Sequence, residues 1–450
     1  MKSNGKGGWK VAKFGGTSLA DGRRIAKVVD IIKSDPKRRF IIVSAPGKRH
    51  AEDEKVTDMF AHWARASTEE QASILELIYR RFKSIAVQLK LEIDIDALFD
   101  QIKKDGGALK HSENRFYYFA LSRGEWLNAH IMAAATGFTF VDAAEFITFN
   151  TRGVYDATAT AERAAALKLS HKARGGVVIP GFYGATSGAK RSIQIFPRGG
   201  SDITGAIVAS LVGAAEYENW TDVLGIRMAD PRIVRRAKKI AIMTYRELRE
   251  LSSMGANVFH EHAVAPVRAV GIPIHVRATS APQKMGTRIV TGISKPHDVI
   301  TGIAGKSGYS MVTLLKYGMN DEVGFLWHAL GVFRHLKINV DHCPGTVDSV
   351  SFVVHASELD GKREQLIEKL QDACSPDAIR FRAHLALICT VGLGLADTPG
   401  MAGKLCSALG SKGINIEILN QGGSEINIVV GVKEEERETA IRTIYDAFVG

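Results

Sequence analysis

The chain has 450 residues, 45% of them hydrophobic, and its 59 Lys and Arg against 48 Asp and Glu give a formal charge of +11. That length exceeds what one hydrophobic core usually supports and the composition excludes bulk disorder, so two or three globular domains are expected. The charge favours anionic partners such as nucleotide phosphates or acidic metabolites, but the basic residues are scattered rather than blocked, which argues against nucleic acid.

From Trp9 to Phe14 a short strand is predicted to run into Gly15-Gly16-Thr17-Ser18, and apolar residues at Ile25, Val28, Val29 and Ile32 mark the helix that follows. Arg39 to Ser44 is a buried strand closed by Pro46-Gly47. Helical periodicity dominates from Lys55 to Ala135, and Phe138 to Asp142, Val177 to Pro180 and Tyr217 to Trp220 are further short strands. Strands alternating with helices predict an α/β fold, a three-layer α/β/α domain around a mostly parallel sheet. Such sheets bind ligands beyond the carboxyl ends of their strands, where the Gly-, Ser-, Thr- and Asp-rich clusters of this chain fall.

After Lys295 the texture changes to shorter strands and single helices, and an internal repeat appears at an offset of 76 residues. Asp321 to Val354 aligns without gaps on Asp397 to Val430: both have an Asp-x-x-Gly start, an expected strand (Ile338-Asn339-Val340, Ile414-Asn415-Ile416) and a closing Val-Val pair. The four cysteines in this half, Cys343, Cys374, Cys389 and Cys406, form neither a CxxC pair nor a zinc-spaced set with histidine, which suits a reducing compartment. No apolar leader opens the chain and its longest apolar run is too short for a bilayer, so a cytoplasmic protein with no membrane partner is expected.

Four clusters carry chemistry. Lys13-Phe14-Gly15-Gly16-Thr17-Ser18 ends a strand with a lysine and two glycines, so backbone N–H groups and a helix N-terminus can close on phosphate while the lysine neutralises a transferring phosphoryl group. Taken alone, it is more readily an ordinary strand-to-helix turn with a solvated lysine. In Pro197-Arg198-Gly199-Gly200-Ser201-Asp202 the arginine fork suits a carboxylate, while Ser201 or Asp202 can simply cap the next helix. Trp220-Thr221-Asp222, followed by Ala229-Asp230-Pro231-Arg232, can frame a ribose and outer phosphates, though turns are rich in such residues. Ser122-Arg123-Gly124-Glu125 offers a glutamate to a ligand ammonium, or is a solvated helix face. Neither a P-loop nor a protein-kinase signature occurs, so phosphoryl transfer would need a third design.

Together with Phe182 in Pro180-Gly181-Phe182-Tyr183-Gly184 and Gly271-Ile272-Pro273-Ile274, these stretches resemble the aspartate kinase family over essentially the whole chain, and the repeats look like its paired ferredoxin-like ACT domains. The resemblance implies an amino-acid kinase domain at 1–295 and ACT domains at 296–384 and 385–450. It implies phosphorylation of the side-chain carboxylate of L-aspartate by ATP with Mg²⁺, the first step toward lysine, threonine and methionine. Lys13 and Asp202 would be catalytic, with Arg198 on the substrate α-carboxylate, Glu125 at its ammonium, and Ser201, Phe182 and Thr57 lining the pocket. Lys13, Gly15, Gly16, Thr17, Ser18, Thr221, Asp222, Arg227, Arg232 and Asn257 would face the nucleotide. Met319, Asn320, Val340 and Asp341 would hold an effector, lysine or threonine, in a homodimer or homotetramer. No dedicated protein site for a metal is expected, because Mg²⁺ would be held chiefly by ATP oxygens and water.

The chemistry is consistent with this: a carboxylate ionised at neutral pH needs no general base, so positioning and charge neutralisation suffice. Arg227 stands where many relatives have tyrosine and Asn257 where many have lysine, which bears on the nucleotide contacts. Two alternatives follow: a catalytically weak amino-acid sensor, or an amino-acid kinase acting on glutamate, against which the paired repeats argue.

Overall fold

The structure, a computed structural model, describes residues 8–188, 190–197, 199–256, 261–294, 298–421 and 426–450. The chain divides into two compact units. The first comprises Met1–Ile226, Lys239–Arg246 and Asn257–Ile293, the second Arg227–Lys238, Glu247–Ala256 and Ser294–Gly450.

The first unit's strands are β1 (Lys10–Phe14), β2 (Arg38–Val43), β3 (Thr139–Phe140), β4 (Thr148–Phe149), β5 (Val177–Pro180), β6 (Tyr183–Thr186), β7 (Ile193–Ile195), β8 (Glu216–Thr221), β9 (Ile242–Thr244), β10 (Ile274–Ala278) and β11 (Thr287–Val290). Among the described residues eight of them form one sheet in the order β3-β5-β2-β1-β8-β10-β11-β9, parallel throughout except between β10 and β11. β4, β6 and β7 form a small separate sheet. β1 and β2 are buried along nearly their whole length, which is why they read as continuous apolar stretches rather than as an alternation. The expected strand at Phe138 to Asp142 shrinks to two residues.

Five helices lie between β1 and β3: α1 (Gly22–Lys33), α2 (Val56–Arg65), α3 (Thr68–Leu89), α4 (Ile95–Gly107) and α5 (Glu113–Thr136). Asp21 caps α1 by accepting the Arg24 N–H at 2.9 Å, and Ser67 with Glu70 closes a reciprocal capping box on α3. The apolar faces of α1–α5 bury Ile25, Val28, Phe60, Trp63, Phe82, Phe99 and Phe119 against Ala12, Phe14, Ile41, Val43 and Trp220 of the sheet. Side chains alternate along β1, so Val11 and Lys13 point to the other face, which the helix Gly200–Val212 covers. The result is the three-layer arrangement expected. β1 lies between β2 and β8, so the chain moves to opposite sides of it and opens a crevice at its carboxyl end.

In the second unit, β12 (Gly302–Leu315), β13 (Ser349–His355), β14 (Ala378–Val391), β15 (Ile418–Asn420) and β16 (Asn427–Lys433) form an antiparallel sheet in the order β13-β12-β14-β16-β15. The two repeats share it. The helices Phe325–His335 and Met401–Ser411, both 11 residues long, begin behind Gly324 (φ 88) and Gly400 (φ 82), which stand 76 residues apart. β12 and β14 run through both repeats and kink at the same level, at Gly308 (φ 87) and His384 (φ 57), where their register slips. Ile338-Asn339-Val340 and Ile414-Asn415-Ile416 are not strands, contrary to expectation. Left-handed residues just before them, Lys337 and Gly413, turn the chain first, so the chain reaches β13 only beyond the first segment, through isolated bridges at His342 and Gly345, and the second becomes a strand only at Ile418. Among the described residues no helix is long and apolar enough to cross a membrane.

Candidate active site

The crevice at the carboxyl end of β1 gathers the expected clusters of the first unit. Lys13 Nζ lies 2.6 Å from Asp202 Oδ1, which joins the two glycine motifs although 189 residues separate them. Asp202 does not cap its helix, and neither does Ser201: Gly199, in the left-handed conformation, takes the cap position with no side-chain bond. Ser201 and Asp202 therefore sit in the first helical turn, their side chains available to the crevice. Asn219 Nδ2 also donates to Asp202 Oδ1, at 3.3 Å.

The phosphate-loop candidate is pinned from two sides. Gly15 N–H donates to the Trp220 carbonyl at 3.1 Å, and Gly47 N–H donates to the Gly16 carbonyl at 2.8 Å. A Cβ on Gly16 would stand 2.7 Å from the Ala45 carbonyl oxygen, so only glycine allows the two turns to touch. Arg24 donates to the Thr17, Lys48 and Arg49 carbonyls, and buried Arg81 donates to those of Ala20 and Gly47. Ser18 Oγ meets Thr279 Oγ1 at 2.8 Å, and Thr279 N–H donates to the Thr221 carbonyl at 3.0 Å. Thr221 Oγ1 donates to Asp222. The Ser44–Gly47 turn, Arg24, Arg81, Asn219 and Thr279 are not singled out as site residues by the sequence; Pro46-Gly47 marks a strand end as readily as a site, and Asn219 is one more strand residue.

Glu125 is buried on α5, and one of its oxygens, Oε2, has no hydrogen-bond partner. Burial pushes its carboxyl up to about 8, a rise that the Ala45 N–H and the nearby Arg123 only partly oppose. Arg123 itself turns away, bonding Ser122 and the Phe119 carbonyl and lying over the Phe119, Trp126 and Tyr183 rings. Gly124 is required by close packing: a Cβ there would stand 2.7 Å from that of Ala45. One turn along α5, Asn128 donates to the Ser44 carbonyl at 2.7 Å. Phe182 holds a left-handed backbone (φ 80), a strained conformation fixed by its N–H to Thr204 Oγ1 and by the Phe196 N–H to its carbonyl. Gly181 packs against Ser201. Thr57 lies in the first turn of α2, half-buried.

Arg198 and Asn257 lie outside the described residues. Arg227 and Arg232 belong to the second unit, where Arg227 donates to the Ala237 carbonyl and exposed Arg232 forms a bidentate pair with Asp230. In that unit buried Met319 and exposed Asn320 follow Gly318, which donates to Asp348 just before β13, whereas Asp341 N–H donates to Val353 near its far end. Five residue steps along the chain separate these anchors, roughly 16 Å. Met319 and Asn320 thus stand near one end of β13 and Asp341 near the other.

Among the described residues one cluster has metal-ligand chemistry: Glu216, Glu218 and His275, whose donor atoms lie within 4.8 Å of one another. Its carboxylates are already neutralised. Glu218 takes Arg38 at 2.6 Å and Lys10 and Arg277 at 3.3 Å, and Glu216 takes Lys10 at 3.3 Å and Arg288 at 3.4 Å. Burial would raise Glu216, but His275 and Lys10 hold it down to about 2. This is an ion-pair lattice rather than a cation cage, and Trp220 lies within it between the Arg38 and Arg277 guanidinium groups.

Residues 8–278 match the model of the amino acid kinase family, and residues 388–448 match an ACT domain model. Aspartokinase 3 of Bacillus subtilis is 34% identical, covering 98% of both chains. The crystal structure of aspartate kinase from Clostridium acetobutylicum, described as an allosteric enzyme, superposes with a TM-score of 0.84 at 40% identity, covering 98% of this chain and 99% of that one. Escherichia coli aspartokinase III, at 25% identity and covering 98% of this chain and 100% of its own, superposes at 0.77 in complex with aspartate and ADP and at 0.73 in complex with lysine and aspartate.

Proposed function

Because this chain belongs to the amino acid kinase family and, within it, to the aspartokinases, we infer that it transfers the terminal phosphoryl group of ATP to the side-chain carboxylate of L-aspartate, giving 4-phospho-L-aspartate and ADP. It is an ATP-dependent phosphotransferase acting on a carboxylate, the first step toward lysine, threonine and methionine, and it is feedback-regulated through its ACT repeats.

The observation that carries the assignment of roles is the 2.6 Å pair between Lys13 and Asp202 at the carboxyl end of β1. Lys13 meets the negative charge that spreads over the transferring group, and Asp202 aims it. Gly15 to Ser18 cradle the phosphates, with Thr221 and Asp222 on the nucleotide. Arg227, Arg232 and Asn257 are the remaining nucleotide contacts, and Arg198 takes the substrate α-carboxylate. Glu125 receives the ammonium, which its buried, partnerless oxygen favours, and Phe182, Ser201 and Thr57 line the pocket. Mg²⁺ comes with ATP. The charged cluster under Trp220 does not fit it, whereas Asp202 suits a metal-bound water, because Lys13 and Asn219 both engage Oδ1.

We assign residues 1–295 to catalysis and 296–384 and 385–450 to the two ACT domains; the kink at His384 falls at the boundary between the repeats, while the start of β12, Gly302–Lys306, pairs with the second one. The protein is a cytoplasmic homodimer or homotetramer with lysine or threonine as effector. Two observations favour a second copy: the separation of the two effector half-sites along β13, and an apolar surface on one repeat comprising Tyr317, Val323, Leu326, Trp327, Leu330 and Val347, of which Val323 is 99% and Trp327 75% exposed. A coupled assay of ADP release tests the reaction: turnover is expected with aspartate, ATP and Mg²⁺, little with glutamate, and almost none in Lys13→Ala. Turnover that survives that substitution refutes the role given to Lys13.

A further inference from the structure

Asn219 is buried, 6% exposed, and its two amide atoms have different fates. Nδ2 donates to Asp202 Oδ1 at 3.3 Å, the same oxygen that holds Lys13 at 2.6 Å, while Oδ1 is buried with no partner. Lys13 and Asn219 are direct partners on neighbouring parallel strands, so their side chains leave the same face of the sheet side by side, about 4.8 Å apart, beneath the first turn of the helix that carries Asp202. The amide cannot be turned over, because its oxygen would then face the Asp202 carboxylate. An orphaned buried carbonyl oxygen is costly, and a leucine of nearly the same shape would remove that cost. A residue kept against stability at this place points to use.

Resting on the aspartate-kinase reading above, we propose that Asn219 is a positioning residue for phosphoryl transfer: its amide fixes the Asp202 carboxylate, and through it the Lys13 ammonium, in the orientation the transferring group requires. Without that bond Asp202 can rotate about its side-chain torsion, and the lysine is held by a swinging partner rather than a fixed one. The loss falls on turnover, since the bond that is removed joins two protein groups, Asn219 and Asp202.

Three forms of the full-length protein test this in one assay with aspartate, ATP and Mg²⁺: the unaltered chain, Asn219→Leu and Asn219→Asp. Asn219→Leu is expected to lower kcat about 10- to 100-fold, the range of a hydrogen bond to a charged group, with both KM values within about threefold and the melting temperature unchanged or higher. Asn219→Asp places a second carboxylate against Asp202, and the pair then shares a proton. Its kcat relative to the unaltered chain therefore rises as pH falls from 8 to 6, when the protonated acid becomes a donor again, and Asn219→Leu has no such recovery. A kcat for Asn219→Leu within twofold of the unaltered chain overturns the proposal. So does a loss matched by a lower melting temperature, or an Asn219→Asp profile parallel to that of Asn219→Leu. Failure of the unaltered chain to release ADP with aspartate sinks the underlying reading instead.

Discussion

Glu125 makes aspartate recognition dependent on pH in a direction that can be worked out. With its carboxyl pushed up to about 8 by burial, the free enzyme holds this group mostly protonated at neutral pH. A protonated acid offers no charge to an ammonium, so only the ionised fraction binds aspartate well. That fraction is about one hundredth at pH 6, one tenth at pH 7 and one half at pH 8. At saturating ATP and Mg²⁺, kcat/KM for aspartate should rise about tenfold from pH 6 to 7 and about fivefold from 7 to 8, then level off. Turnover at saturating aspartate should change little, because the bound ammonium draws the proton off. Glu125→Gln should bind aspartate weakly and without the slope. The same substitution has a stability readout of opposite sign. A carboxyl whose folded value lies near 8 and whose unfolded value lies near 4.5 loses stability as pH rises between the two. The penalty at pH 7 is 1.36 × (7 − 4.5), about 3 kcal/mol as an upper bound. Glu125→Gln should therefore melt higher than the unaltered chain at pH 7 and equally at pH 4. A kcat/KM profile that is flat from pH 6 to 8, or a slope retained in Glu125→Gln, refutes the reasoning.

Gly124→Ala forces a methyl to within 2.7 Å of Ala45, whose N–H serves Glu125, and overpacking of this kind costs about 1–3 kcal/mol. Its melting temperature should fall and its KM for aspartate rise, while KM for ATP holds. Trp327→Asp places a charge on the exposed apolar surface of the first repeat; light scattering should show the unaltered chain as a dimer or larger at micromolar concentration and the variant as a monomer. Millimolar lysine or threonine should raise the apparent KM for aspartate or ATP in the unaltered chain and lose that effect in Trp327→Asp, since half-sites at opposite ends of β13 need a second copy to meet. Unchanged kinetics with both amino acids present would count against the effector assignment.

Much of the catalytic half was legible because its chemistry is written in residue types that folding does not demand. A lysine ending a buried strand before two glycines, and an aspartate behind two more, invite a phosphate, and the crevice at β1 brings Lys13 and Asp202 together. Asn219 was not legible: within Tyr217 to Trp220 it reads as one more strand residue, and only the register of β8 against β1 sets it beside Lys13. The Ser44–Gly47 turn was hidden for a related reason, since its role lies in carbonyls and N–H groups that carry no side-chain signature. In the repeats, Ile338-Asn339-Val340 alternates like a strand, but the left-handed Lys337 spends that alternation on a turn. Alternation reports which side chains face inward, and an irregular segment beside a sheet edge satisfies it equally well.

β12 and β14 behave as two continuous beams, each 14 residues long, threaded through both repeats and creased at one common level by Gly308 and His384. Cutting the chain between the repeats would sever a strand in mid-ladder and strip the partner from its neighbour. The tandem is thus a single mechanical part with a built-in crease: it can be grafted onto another catalytic body, or deleted from this one, only as a whole. A graft that took one repeat alone would carry half of each beam and an open sheet edge prone to pairing with other chains.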